Sequence, residues 1–254
     1  MNQPKKDAIN VLDKIKKINE LSNKEIRCVD FSGQIRQITV KQQKDLIKSA
    51  VDSPITKFLF NITTSKILKE NLILNNGNVD ELTIFSKVYA LCHIRKNTFG
   101  HFYYRKKEGE ATEEIDLDKL VFYRPEISLT GIYDYNNITV FCKIPTVGSE
   151  LSILESVYDK NESIDVRTSE DIRNILSTVY MVELLKCVDD VSIDGESIDF
   201  KSYSVADRFK IIESFNAELN DNIIKFSTEY KTNIDNYIKY NDKPFEIDAS
   251  FFIS

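Results

Sequence analysis

A chain of 254 residues with 42% hydrophobic and 29% charged side chains is long enough to bury a core and too apolar to belong to the disordered class. Its net charge of −6 argues against nucleic acid as the main partner, because phosphate binding draws on a basic excess. Seven glycines and five prolines leave little material for a phosphate-cradling loop and few breaks in long elements, which favours helix.

In chain order, residues 8–21 carry Val11, Leu12, Ile15, Ile18 and Leu21 on one stripe with lysines opposite. This is the pattern of an amphipathic helix that docks on its own core or on a partner. The polar opening Met1-Asn2-Gln3-Pro4-Lys5-Lys6-Asp7 is unlike a signal peptide, and no window nears the roughly 20 apolar residues of a membrane span, so a cytoplasmic protein without a membrane span is expected. Residues 26–31 and 34–38 alternate around Ser32-Gly33 and predict a β-hairpin, with Thr39 as N-cap of a helix over Val40-Lys41-Gln42-Gln43-Lys44-Asp45-Leu46-Ile47. Pro54 opens a helix to about residue 73, ended by Asn75-Asn76-Gly77-Asn78. Residues 80–96 predict a further helix.

The charge run 105–116 reads as an exposed loop and an internal boundary. It divides a helical N-terminal region with a hairpin–helix unit (1–108) from a C-terminal α+β region (109–254) with a second such unit and an extended tail. Residues 126–133 and 138–144 predict strands joined at Asn136-Asn137. Helices follow over 149–158 and 168–186, the latter opened by Thr168-Ser169-Glu170-Asp171. Residues 187–193 and 197–200 flank the hairpin turn Asp194-Gly195. From Val205 the apolar series runs to Tyr237 as one long helix or two joined near 216–220, and residues 245–253 form an extended apolar tail. The expected fold class is α+β, mostly helical, with β-hairpins and a small central antiparallel sheet near 102–144. A hairpin, then Thr39-Val40 or Ser204-Val205, then an amphipathic helix occurs once in each half.

Candidate chemistry is sparse. The two histidines, His93 and His101, have no Cys or carboxylate at metal spacing, and Cys28, Cys92, Cys142 and Cys187 are never paired as Cys-x-x-Cys. They read as free thiols. Gly-x-Ser-x-Gly, Walker A and Gly-x-Gly-x-x-Gly are missing. The acid pairs Glu113-Glu114 and Asp189-Asp190 fall in expected loops, and Asp194-Gly195-Glu196 lacks the rest of a calcium loop. A non-enzymatic protein with no cofactor and no metal is expected.

Several segments together carry a family resemblance. The run Ile35-Arg36-Gln37-Ile38-Thr39-Val40-Lys41-Gln42-Gln43-Lys44-Asp45-Leu46-Ile47 resembles the N-terminal signature of the baseplate hub assembly proteins of T-even-type contractile-tailed bacteriophages, where a hairpin leads into a Thr-Val-x-Gln-x-Lys-x-Leu helix. Residues 82–95, closing with Ile94-Arg95 and then Phe99-Gly100, are similar to that family's hydrophobic helix ending in Leu-Arg before a glycine. Tyr180-Met181-Val182-Glu183-Leu184-Leu185-Lys186-Cys187-Val188-Asp189-Asp190 and Glu246-Ile247-Asp248-Ala249-Ser250-Phe251-Phe252 are similar to its second-half helix and its tail. Ile94 stands where the family has Leu, and the Asp-Arg pair comes later, as Asp207-Arg208.

The resemblance implies a non-enzymatic viral protein of the baseplate hub, either a minor hub component or an assembly chaperone absent from the finished particle. The implied partners are other tail baseplate and hub proteins, met in the host cytoplasm during assembly, with the virion baseplate as a further location. Candidate protein-interaction residues are Lys41, Gln42, Gln43, Lys44, Arg95, Phe251 and Phe252. For the lysine–glutamine run a plain solvated helix face is the alternative, and for the tail a last strand folded onto its own core. An enzyme with an illegible site and a host-directed regulatory binding protein are the other two readings.

Overall fold

The computed structural model describes residues 23–49, 54–105, 112–161 and 169–252. The expected helix over 8–21 and most of the charged loop after Arg105 lie outside the described residues. The fold is α+β. Among the described residues there are seven α-helices and four small antiparallel sheets. No helix of the described residues is long and apolar enough to cross a membrane.

The chain opens with strands β1 (Lys24–Arg27) and β2 (Ser32–Ile35), then α1 (Val40–Lys48), α2 (Pro54–Asn71) and β3 (Leu72–Leu74). The β1–β2 hairpin forms as expected, but Ser32-Gly33 lies inside β2 and not in its turn. β3 pairs with β2, with Gly33 opposite Leu74. A Cβ on residue 33 would stand 2.3 Å from the Ile73 carbonyl oxygen, so glycine is needed there for close strand approach and not for a turn. The same pairing ends the helix at Asn71, short of the expected residue 73: Leu72, Ile73 and Leu74 leave it to complete the sheet.

A 3-10 turn (Val79–Glu81), capped by Asn78, precedes α3 (Ile84–Phe99). Helix was expected from residue 80. Instead Leu82 and Thr83 are extended, because Thr83 bridges Thr146 in antiparallel fashion ahead of α4 (Val147–Asn161). Ile84 N–H donates to Pro145 O (3.2 Å) and Val147 N–H to Leu82 O (2.8 Å), so α3 and α4 begin side by side. Thr83 and Thr146 each cap their helix through the N–H three residues on.

The expected central sheet over 102–144 is split among three sheets. β4 (Phe102–Arg105) pairs with β5 (Glu113–Asp116), and β6 (Val121–Phe122) joins the later hairpin β11 (Ile238–Tyr240) and β12 (Lys243–Pro244). β7 (Thr130–Tyr135) and β8 (Ile138–Lys143) join β9 (Val188–Ile193) and β10 (Glu196–Ser197) in the order β10-β9-β8-β7. The β11–β12 turn, Asn241-Asp242, has both residues at positive φ, a hairpin signal not read from the sequence.

α5 (Ser169–Cys187) runs directly into β9. The series after Val205 resolves into two helices, α6 (Val205–Glu213) and α7 (Ala217–Asp235), with Asn216 capping the second. The hairpin–helix echo is present in the structure. α1 and α6 are each nine residues long, are capped by Thr39 and Ser204, end at Ser49 and Ser214, and lead to helices of 18 and 19 residues. They dock differently: α1 buries Gln42 and Leu46, α6 buries Val205 and Ile212.

Buried apolar side chains form one cluster from Ile26 to Phe252, with contributions from both sides of residue 108. Inside it lies an ionic cluster. Glu150 of α4 accepts from Lys87 of α3 (2.9 Å) and Lys186 of α5 (3.4 Å), and Lys186 also pairs with Glu183 (2.9 Å). Lys87 Nζ further donates to the Asn61 carbonyl of α2 (3.3 Å). Burial pushes the Glu150 carboxyl up, but the two ammonium groups outweigh it and hold the carboxyl below its ordinary value. Burial pulls Lys186 down, while Glu183 and Glu150 hold it above its ordinary value.

Two predictions follow from this packing. Gly33→Ala forces β2 off β3 and is expected to cost about 1–3 kcal/mol in urea unfolding. Glu150→Gln strands Lys87 and weakens the hold on Lys186, and is expected to cost about 3–5 kcal/mol at neutral pH. Because the folded carboxyl titrates low, its contribution is full above the unfolded value of about 4.3 and is lost as pH falls through the folded value. The gap between wild type and Glu150→Gln should therefore close on acidification, and a gap constant with pH would contradict the ionic origin.

Candidate protein-interaction surface

The capping box of α1 sets which of its faces is free. The Gln42 N–H donates to Thr39 Oγ1 (3.2 Å), the Thr39 N–H donates to Gln42 Oε1 (2.8 Å), and Gln42 Nε2 reaches Glu70 of α2 (2.6 Å). Gln42 is thereby committed inward beside Leu46, a correction to its reading as an interaction residue. At 100° per residue the opposite face brings together Val40, Lys41, Lys44, Ile47 and Lys48, all exposed, with Val40 at 68% and Ile47 at 51%. Gln43 sits half-buried at the flank, and Asp45 lies 3.9 Å from Lys48. The sequence reading singled out the polar run and passed over Val40, Ile47 and Lys48, which a helical projection of this segment would have found.

Arg95, Phe251 and Phe252 come together, but inside the protein. Arg95 of α3 is 1% exposed; its Nε donates to the Phe251 carbonyl (3.1 Å) and its Nη1 to the Gly100 carbonyl (2.9 Å). The guanidinium stands over the rings of Phe99 (5.5 Å), Tyr103 (5.6 Å) and Phe251 (5.4 Å). Burial lowers its pKa from the ordinary arginine value.

The expected extended tail is instead a 3-10 turn, Ala249–Phe252, closed by the Phe251 N–H donating to Asp248 Oδ1 (3.1 Å). Ser250 Oγ bonds Tyr103 OH (2.6 Å), and Phe252 meets Phe60 with ring centroids 6.4 Å apart. Arg95, Phe251 and Phe252 are thus core residues, which corrects their reading as surface contacts. The turn packs against both α1 and β4, so it supports the α1 face from below.

His93 stacks with Tyr89 and Phe122, and burial lowers its pKa. His101 and Lys96 both bond the exposed Asp118 carboxylate. All four cysteines are free, with Cys28 half-buried and the others buried; burial pushes the Cys142 and Cys187 thiols up to about 12, far from nucleophilic thiolate. A groove of about 440 Å³ between α2 and α4 is lined by Lys69, Asp80, Gly148, Glu155 and Asp159; Lys69 pairs with Asp80 (2.9 Å) and Glu155 with Lys66 (2.7 Å). Among the described residues no three His, Cys, Asp or Glu side chains are grouped to hold a metal ion.

No family model, curated protein or solved structure matches the chain.

Phe251→Ala opens a void under Arg95 and is expected to cost about 3–5 kcal/mol in thermal or urea unfolding. Removal of residues 251–254 should destabilise the whole protein in the same way. A truncated chain of full stability that had only lost a binding partner would restore the tail to the surface.

Proposed function

We propose that this chain is a non-enzymatic structural or assembly protein of a phage contractile-tail baseplate hub, acting by protein–protein binding. The ordered set of family-like segments motivates the baseplate. The observation that carries the binding role is the outer face of α1, where Val40 and Ile47 stay in water beside Lys41, Lys44 and Lys48. Exposed aliphatic side chains flanked by three ammonium groups suit an acidic partner surface with an apolar centre. The segment that bears the family-like Thr-Val-x-Gln-x-Lys-x-Leu pattern is the segment that forms this face, so both lines of support meet on one helix.

The test is co-purification of the full chain with the baseplate and hub proteins of the same phage. The combined variant Ile47→Ser, Lys41→Glu, Lys44→Glu is expected to weaken the complex at least about tenfold, or about 1.4 kcal/mol, while unfolding stays within about 0.5 kcal/mol of wild type, as for surface changes. Undiminished binding removes α1 as the contact. Capture of a host protein with no tail protein transfers the reading to a host-directed regulator. Quantitative mass spectrometry of purified particles then separates the two baseplate roles: a fixed ratio to hub proteins marks a component, and abundance in the lysate with absence from particles marks a chaperone.

A further inference from the structure

We propose that two copies of this chain pair through strand β7, antiparallel about Ile132, to join their four-stranded sheets across a two-fold axis. In the order β10-β9-β8-β7, β7 is an edge. Leu129 O accepts from Ile144 N–H (3.1 Å), which makes that pair a hydrogen-bonded one. Bonded and non-bonded pairs alternate in an antiparallel ladder, so Gly131, Tyr133 and Tyr135 bond to β8. Thr130, Ile132 and Asp134 therefore direct their N–H and C=O groups outward. Among the described residues the only partner these groups have is the Ser128 hydroxyl, which donates to Thr130 O (2.7 Å).

The other edges are shorter or charged, which are ways natural sheets blunt an edge. β1 carries Lys24, Glu25 and Arg27, β5 carries Glu113, Glu114 and Asp116, β4 has four residues and ends in Arg105, β3 has three, β6, β10 and β12 have two each, and β12 ends in Pro244. β7 is six residues long with a single charge, and it exposes Ile132 at 62% with Leu129 beside it at 56%.

The occupant is a second copy because the strand is complementary to itself in one register. With the axis at Ile132, the two Ile132 residues exchange both main-chain bonds and their side chains meet on the outer sheet face. Thr130 then lies opposite Asp134 of the other copy, a hydroxyl facing a carboxylate. With the axis at Asp134, two carboxylates would stand opposite each other, and with the axis at Tyr133 each Ile132 would stand opposite a carboxylate, both unfavourable. With the axis at Thr130 or Gly131, Asp134 would lie beyond the paired strands. An isologous contact of this kind closes at two copies and propagates no further.

The experiment is sedimentation of the full-length chain over a wide concentration range, with unfolding curves as the fold control. The wild type is expected to reach twice the monomer mass, and Ile132→Lys, which alters an exposed side chain, to remain a folded monomer. Ile132→Cys should cross-link between copies on mild oxidation, while Asp134→Cys, displaced along the strand from its equivalent, should not. A wild type that is monomeric at every concentration overturns the proposal, whatever other chain binds that edge. So does an Ile132→Lys protein that still dimerises, or an Asp134→Cys protein that cross-links as readily as Ile132→Cys.

Discussion

The Glu150 carboxylate, held between the ammonium groups of Lys87 and Lys186, is the contact on which the helical half of the protein turns. Each charge is nearly withdrawn from water, so none is tolerable without the others. Their geometry fixes how α3, α4 and α5 stand relative to one another, and the Lys87 bond to the Asn61 carbonyl draws in α2. The bridge between Thr83 and Thr146 starts α3 and α4 at one level, which places Lys87 and Glu150 each one turn beyond its cap. α7 closes the cluster from the other side: Tyr230 is buried near Glu150, and Ser227 donates to the Glu183 carbonyl (3.3 Å). Apolar packing could hold these helices together, but its non-directional character would leave their relative slide less sharply defined.

A second cationic centre, Arg95, does for the chain end what this cluster does for the helices. It gathers Phe99, Tyr103 and Phe251 around one guanidinium and donates to the Phe251 and Gly100 carbonyls. The C-terminal turn so held lies beneath α1, and α1 keeps its own inner face through Gln42 and Leu46. Support and solvent-facing side chains are thereby separated by residue: Gln42, Arg95, Phe251 and Phe252 build the support, while Val40, Lys41, Lys44, Ile47 and Lys48 meet solvent.

The sequence and the structure agree where the physics is local. Thr39, Ser204 and the turns at Asn136-Asn137 and Asp194-Gly195 act through bonds within a few residues, and each was legible. Disagreement begins where a distant partner decides. Leu72-Ile73-Leu74 continues an apolar run that suits a helix, and only the approach of β2 at Gly33 draws it into a sheet. Leu82 and Thr83 look like a first helical turn until Thr146 pairs with them. Gln42 and Arg95 read as surface polar groups because side-chain type carries no record of burial.

The amino-acid sequence by itself determined the α+β class, the succession of helices and hairpins, the caps that start them and the two hairpin–helix units, because propensity, capping and turn chemistry act over three or four residues. Tertiary structure alone decided which charges are buried, that the tail closes the core, and which face of α1 and which edge of β7 meet water. Those outcomes rest on contacts such as Lys87 with Glu150 and Arg95 with Phe251, which join residues 63 and 156 positions apart. Burial and pairing at such separations follow from how whole elements pack, and no short window of sequence contains that information.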